Sequence, residues 1–430
     1  MLSKLVFKIG CIYRNKSLKL AYNELKSTEF ASEEELRLIQ ENRIRDLLDF
    51  CFKHSKFYKS KLDSIGYSKL RNKSPFLILE KLPFTSKSEL IEFNSEIHTN
   101  NSFSFKKLFF SETSGSTGQA LTFYKDEFWD SYNRASIFRG MSWFDVYPYD
   151  KNGYFWGFDS SFISSLKTRF LDSLVNRFRV FSYSERELNK FLSKLSSAKY
   201  IEGYSSMIYE VAKIAASQGL KFDNIKLIKG TSEKIYPHYH KITKDVFGCK
   251  VVSEYGSAES GIIAFECPIG NMHINEETCF VEVFEGKVYV TNLIARSFPT
   301  IRYELGDYVV LSDEKCACGR SHKIIKEVTG RVGVTIIGKK DSQFPSLTLY
   351  YVFKTLALEY GLELSYKCVQ SVPGELKVYL EHEADESVKS QVISTFKSYF
   401  EDFIEVDIYF TDKLSLYGKK LKDFESEIAG

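Results

Sequence analysis

No stretch of the sequence approaches the roughly 20 consecutive apolar residues that a membrane-spanning helix needs, so no helical span is predicted. The first residues, Met1 to Arg14, are apolar but interrupted by Lys4 and Lys8. They lack a long apolar core and a small-residue cleavage site, which argues against a signal peptide. A first helix docked on the body, with at most peripheral membrane contact, is expected instead. Charge of one sign is also missing: 59 Lys and Arg face 56 Asp and Glu, a net charge of +3. That balance gives no electrostatic case for a nucleic-acid partner. The 8 cysteines are scattered over 430 residues rather than spaced as a disulfide framework, which points to the cytoplasm. There is no internal repeat and no low-complexity segment.

What is present is an ordinary globular composition, 43% hydrophobic and 27% charged, in a chain long enough for two or three domains. The aromatic content of 15%, with 36 Phe and 27 Tyr, reflects core packing and compositional bias. Ser32 and Glu35 stand in capping-box spacing ahead of Leu36, Ile39, Ile44, Leu47, Leu48 and Cys51, which predicts an amphipathic helix over 32–54. A second short helix should start at Ser86. Beyond residue 180, helices expected from Ser184, over 205–219 and over 234–247 alternate with short apolar runs at Tyr200–Glu202, Ile225–Ile228 and Lys250–Glu254. That alternation predicts an α/β body with parallel pairing. Phe280–Phe284 and Lys287–Thr291 should pair as a hairpin across Glu285-Gly286. Residues 347–360 and 386–401 read as helices, and 364–371, 375–382 and 404–410 as strands. They form a separate α+β domain.

Several stretches carry candidate chemistry. Ser111-Glu112-Thr113-Ser114-Gly115-Ser116-Thr117-Gly118 is a hydroxyl- and glycine-rich loop that suits phosphate oxygens. It does not close with the Gly-Lys-Ser/Thr of a Walker loop, and by itself it also fits a polar surface turn. Glu254-Tyr255-Gly256-Ser257-Ala258-Glu259-Ser260-Gly261 follows an apolar strand. Its turn would bring Ser257 and Glu259 to the edge where α/β proteins bind ligands, or would be a plain capped turn. Asp307, after Gly306, suits a ribose diol or an Asx turn. Gly330-Arg331 falls at the expected domain boundary, and Lys419 lies on a glycine-flanked basic loop, where an ordinary surface lysine is the simpler alternative. Cys267 and His273 are six apart, and Cys316-Ala317-Cys318 adds a Cys-x-Cys pair. Three thiolates and one imidazole suit a closed tetrahedral Zn²⁺ site. The alternative is four unrelated side chains, with the pair redox-active or inert. Cys11, Cys51, Cys249, Cys279 and Cys368 lie in apolar patterns and are expected in the core. His238 and His240 look exposed, and no role is expected for them. The segment from Arg139-Gly140 to Phe158, with Trp143, would line an acyl pocket, or would simply be core.

Together these stretches resemble the adenylate-forming enzyme superfamily, acyl-CoA synthetase-like, and within it the phenylacetate-CoA ligase branch of the capsular polysaccharide biosynthesis type. The resemblance runs from about residue 40 onward and includes Ser55–Lys59, Leu82–Lys87, Glu202–Ser206, Ser232–Ile235, Tyr255–Glu259 and Ser297–Tyr303, in the family's order. It implies a large α/β domain over 1–331, with a helical leader over about 1–100, and a small mobile α+β lid domain over 332–430. It implies an AMP-forming carboxylate ligase that adenylates a carboxylic acid with ATP and Mg²⁺, releases pyrophosphate and transfers the acyl group to CoA. Transfer to an amine of a sugar or amino acid in capsule or O-antigen synthesis stays open, as does a non-catalytic scaffold. By resemblance, Ser114, Gly115, Ser116, Thr117 and Gly118 would hold the ATP phosphates, and Ser232, Glu233, Glu254, Tyr255 and Gly256 the adenine. Ser257 would touch the α-phosphate, Glu259 would ligate Mg²⁺, and Asp307 and Arg331 would hold the ribose. Lys419 would span the carboxylate and the α-phosphate. Some relatives look similar at Cys267, His273, Cys316 and Cys318, and the branch often forms homodimers. Two departures stand out. Val332-Gly333-Val334 follows Arg331 where relatives carry an acidic hinge residue, and Gln119-Ala120 replaces a nearby proline.

Overall fold

The longest helix, Glu33–His54, begins where the sequence places it. The Ser32 side chain accepts from the Glu35 N–H, and the Glu35 carboxylate accepts from the Ser32 N–H. Its buried face differs by one position from the expected one. Gln40 is buried and donates to the Cys279 carbonyl at 3.2 Å, while Ile39 is half-exposed. A computed structural model describes residues 2–113, 121–155, 162–180, 185–231, 233–331, 335–381, 385–414 and 421–428. These form two compact units, residues 1–149 with 252–328, and residues 150–251 with 329–430.

In the first unit, helices Leu2–Arg14, Leu18–Ser27, Glu33–His54 and Lys56–Ser64 lead to a hairpin of Leu108–Glu112 with Thr122–Asp126, then to helix Glu127–Ser142. Ser86 and Glu89 form a second capping box at helix Lys87–Glu92. Asp126 caps Glu127–Ser142 by accepting from the Trp129 N–H at 2.9 Å, and its other oxygen accepts from the N–H groups of Arg296 and Ser297. Strands Cys279–Phe284 and Lys287–Asn292 pair antiparallel in the expected register. Glu285 (φ 50°) and Gly286 (φ 78°) make the left-handed two-residue turn that suits the twist of such a hairpin. Met272–Ile274 lies between Gly261–Glu266 and Ile324–Arg331, antiparallel to both. The apolar faces of the helices supply Ile44, Leu47, Leu48, Trp129 and Tyr132, which form one core with Leu293, Phe298 and Tyr303.

In the second unit, Leu227–Thr231, Tyr200–Tyr204, Asn152–Phe155 and Arg177–Arg179 lie side by side in that order and pair in parallel, as the alternation predicts. Helices Ser205–Ser217 and Pro237–Phe247 follow two of these strands. Glu375–Glu381, helix Glu386–Phe400 and Glu405–Thr411 form a parallel crossover, and Tyr366–Gln370 pairs antiparallel with Glu375–Glu381. Strand Phe424–Ser426, not expected from the sequence, pairs in parallel with Tyr366–Gln370. His238 and His240 are half-buried rather than exposed, and His238 Nε2 lies 2.9 Å from Ser365 Oγ.

Candidate functional site

The Glu254–Gly261 motif is a hairpin. Strand Val251–Ser257 turns through Ala258, Glu259 and Ser260 and returns antiparallel as Gly261–Glu266. A Cβ at Gly256 would stand 2.3 Å from the Gly261 carbonyl oxygen, so only glycine permits this register. Ser257 Oγ accepts from the Ser260 N–H at 3.0 Å and closes the turn. Asn292 donates to the Ser260 carbonyl, and Asn133 accepts from the Ile262 N–H. The tip is therefore fixed from both sides, which keeps Glu259 inside although it sits on a turn.

Glu259 is buried, and its Oε1 accepts from the Tyr303 hydroxyl at 2.9 Å. Among the described residues its Oε2 accepts no protein hydrogen bond, so one carboxylate oxygen is available to a cation. Burial pushes Lys125 below its ordinary pKa, against the pull of the carboxylates of Asp130 and Glu259. Its ammonium lies 5.3 Å from the Trp129 ring centroid. Tyr303 is held in turn by Arg302, whose backbone is left-handed at φ 49°, at a cost of order 1 kcal/mol. Arg302 offsets that cost by donating to Glu282 at 2.8 and 3.0 Å and to the carbonyls of Glu80 and Leu82. The Leu82–Lys87 and Ser297–Tyr303 motifs thus meet: the Thr85 N–H donates to the Arg302 carbonyl and the Glu304 N–H to the Thr85 carbonyl.

Asp307 is not in a terminal turn. It sits inside strand Tyr303–Ser312, where a register shift against Lys287–Asn292 and Gly306 at φ 84° make a bulge. Bulges re-aim side chains, and Asp307 Oδ2 accepts from the Tyr255 hydroxyl at 2.9 Å. The hairpin and the bulged strand therefore bring Tyr255 to Asp307 and Glu259 to Tyr303. Glu254 is half-buried opposite Phe265. Arg331 is the last residue of strand Ile324–Arg331. In the second unit, Glu233 accepts from the Ser206 N–H at 2.9 Å, capping helix Ser205–Ser217, and from the Leu421 N–H at 2.6 Å. Ser114, Gly115, Ser116, Thr117, Gly118, Ser232 and Lys419 lie outside the described residues.

The expected Cys₃His set converges in the first unit. The ligand atoms of Cys267, His273, Cys316 and Cys318 all lie within 4.8 Å of one another. Cys267 Sγ is 3.7 Å from Cys316 Sγ, and Cys318 Sγ is 3.2 Å from His273 Nε2. An S···S edge of about 3.8 Å is what tetrahedral Zn–S bonds of about 2.3 Å produce, so the donor set fits zinc. The His322 carbonyl lies 3.1 Å from His273 Nδ1, an acceptor that holds the proton there and turns Nε2 toward the thiols. Burial, first, and then the neighbouring His322, Arg320 and Arg139 push His273 down to about 4, against the pull of that carbonyl. Burial pushes the Cys267 thiol up to about 11. Burial also raises Cys316, but hydrogen bonds from Asn271 and the Cys318 N–H outweigh it and bring the thiol below its ordinary value.

Behind the cluster lies a charged core that the sequence does not announce. Glu277 accepts from Arg139 Nη1 at 2.5 Å, from the Thr28 hydroxyl at 2.6 Å and from His322 Nε2 at 3.1 Å. Arg139 also donates to the carbonyl of Leu25 and to Asn275. Burial raises Glu277, yet Arg139 and His322 outweigh it and hold its carboxyl well below the ordinary range. Arg320 pairs with Glu29 and stacks 4.1 Å from the Trp143 ring centroid. A Cβ at Gly140 would fall within the Phe265 ring, 2.4 Å from Cγ. Arg139, Gly140 and Trp143, expected as candidates for an acyl pocket, instead build the support of the Cys/His cluster. The signal that would have found them is the pair Asn275 and Glu277 beside His273, polar residues between apolar strands.

No protein-family model matches the chain, and no curated protein matches it. Among solved structures, it is similar to 2-hydroxyisobutyryl-CoA ligase in the postadenylation state with 2-HIB-AMP, at 15% identity and TM-score 0.67, over 93% of this chain and 91% of that chain. An open conformation of that ligase with 2-HIB-AMP and CoA matches at 15% identity and TM-score 0.60, over 92% of this chain and 93% of that one. Its thioesterification state matches at 16% identity and TM-score 0.58, over 93% and 91%. At such identity the likeness is one of fold: mixed α/β with a C-terminal domain, the fold of the adenylate-forming CoA ligases.

Proposed function

We propose that a chain with this fold catalyses ATP-dependent adenylation of a carboxylic acid and then transfers the acyl group to CoA, as a member of the phenylacetate-CoA ligase branch of the capsular type. The observation that carries the reading is the pair of contacts, a buried one from Tyr303 to Glu259 and a half-buried one from Tyr255 to Asp307, on one hairpin and one bulged strand. In the first half-reaction a carboxylate oxygen attacks the α-phosphorus and the bond to pyrophosphate breaks. In the second, the CoA thiol attacks the acyl carbon, its proton is released and AMP leaves. Such chemistry asks the protein to position groups and to neutralise charge on phosphate oxygens.

Each residue has a part in that task. Glu259, oriented by Tyr303, would offer Oε2 to Mg²⁺, which supplies charge neutralisation on the phosphates when bound. Ser257 would face the α-phosphate. Asp307, oriented by Tyr255, would grip the ribose together with Arg331. Ser114 to Gly118 would hold the departing pyrophosphate. Ser232, Glu233, Glu254, Tyr255 and Gly256 would line the adenine site. Lys419 would bridge the carboxylate and the α-phosphate from a lid domain over 332–430, swivelling at Gly333. Cys267, His273, Cys316 and Cys318 would hold a structural Zn²⁺, for which the donor set and the 3.7 Å sulfur separation speak.

The test is pyrophosphate release from ATP and Mg²⁺ across a panel of aryl, alkyl and 2-hydroxy acids, with CoA or amines of sugars and amino acids as acceptors. Acid-dependent release followed by thioester formation is expected. Release without thioester but with amide would move the reading to an acid–amine ligase. No acid-dependent release with any acid, from protein that binds ATP, would refute it.

A further inference from the structure

Helix Leu2–Arg14 holds to the body by one side only. Phe7 packs its ring against Phe138 and Tyr149, at centroid distances of 5.7 and 5.9 Å, and Cys11 packs against the neighbouring core. No residue of the helix is buried. Leu2, Leu5, Ile9 and Ile12 are 69%, 56%, 58% and 67% exposed, while Tyr13 lies beside Lys107, whose ammonium is 5.3 Å from its ring centroid. At 3.6 residues per turn the four aliphatic residues fall in a stripe about 80° wide, opposite Phe7 and Cys11. A continuous aliphatic stripe turned away from its own protein is unlike scattered surface leucines, which call for no explanation.

The charge of the same segment selects what covers that stripe. From Leu2 to Asn23 there is no Asp or Glu, while Lys4, Lys8, Arg14, Lys16 and Lys19 are all basic, in a chain that is otherwise balanced. Arg14 lies against the Phe109 ring and near Asp130. Lys4, Lys8, Lys16 and Lys19 are exposed. A second copy of the chain is a poor occupant, because a two-fold contact along this stripe would bring together two segments that carry only positive charge. An anionic lipid surface accepts both parts at once, aliphatic side chains below the headgroups and lysines among the phosphates. A helix of 13 residues is about 20 Å long, too short to span a bilayer and suited to lying in its surface.

We infer that helix Leu2–Arg14 docks this protein on membranes that carry anionic phospholipid, with Leu2, Leu5, Ile9 and Ile12 inserted and Lys8, Lys16 and Lys19 at the headgroups. The inference does not depend on the proposed reaction. It is tested by cosedimentation of the full chain with vesicles of phosphatidylcholine alone and of phosphatidylcholine mixed with phosphatidylglycerol, at low and high salt. Binding to the mixed vesicles is expected, weaker by about fivefold for each lysine neutralised and reduced by salt. L5E/I9E should abolish it while the circular-dichroism melting curve stays unchanged, since both side chains are exposed. K69E, on another exposed lysine, should bind as the parent does. Equal binding to both vesicle types, or undiminished binding by L5E/I9E, would overturn the inference. So would a dimer in sedimentation velocity that L5E/I9E dissociates and that ignores vesicles.

Discussion

Glu277→Gln keeps the shape of a fully buried side chain and removes its charge. In the parent, that carboxylate faces Arg139 and His322, and the Glu277 and Arg139 side chains are 0% and 1% exposed. Gln retains one oxygen but brings an NH₂ group toward donors that need an acceptor. Arg139 is left as a buried cation without its counter-ion. Breaking one partner of a buried pair costs about 3–5 kcal/mol. For a unit of this size that lowers the melting temperature by roughly 6–20 °C. Scanning calorimetry and urea unfolding followed by tryptophan fluorescence, through Trp129 and Trp143, both read the change. The acid limb supplies a second signature. The folded carboxyl of Glu277 titrates well below its ordinary range. Its contribution is therefore complete above about pH 4.3, the unfolded value, and is lost as pH falls through the folded value. In E277Q that part of the acid dependence disappears. A double variant, Arg139→Met with Glu277→Leu, should recover part of the loss, because it leaves no unpaired charge. A loss below about 1 kcal/mol in E277Q would refute the account, since an exposed pair would do no more.

Three further outcomes follow from the site. Lys419→Ala should lower acid-dependent ATP–pyrophosphate exchange by about 10²–10³-fold, as loss of one positioned electrostatic group does, while ATP binding by calorimetry persists; full exchange would remove Lys419 from the mechanism. Gly256→Ala forces a Cβ to 2.3 Å from the Gly261 carbonyl, so the hairpin must open and exchange activity should fall together with thermal stability. Cys318→Ser should lower zinc measured by elemental analysis from about one equivalent to well under half; parent protein purified without chelator that carries less than half an equivalent would count against the metal site.

Local chemistry was legible and distant pairing was not. The capping boxes at Ser32 and Ser86 and the Glu285-Gly286 turn each depend on residues a few positions apart, and each forms as expected. The Cys₃His set was legible because thiols and imidazoles are rare and chemically specific. Arg139 and Glu277 stand 138 residues apart and Thr28 and Glu277 249 apart, and no periodicity links them. Asp307 was legible as a residue but not as part of a bulge, because the register shift depends on the partner strand. Gln40 replaced Ile39 on the buried face because the Cys279 carbonyl needed a donor there. The short strand Phe424–Ser426 carries no apolar alternation of its own and exists by pairing with Tyr366–Gln370.

Cys267 and Cys316 are 49 residues apart in the chain and 3.7 Å apart at sulfur. With zinc bound, the strands between them, including the one that carries Tyr303 and Asp307, become a closed ring. Loop-closure entropy for a ring of that size is worth about 4 kcal/mol when the closure is permanent. A zinc closure would not be permanent: a chelator would open it and thiol reductants would leave it intact. The order of Tyr303 and Asp307, beside the oxygens proposed to take magnesium and ribose, would then follow metal supply, a quantity the cell controls separately from redox state.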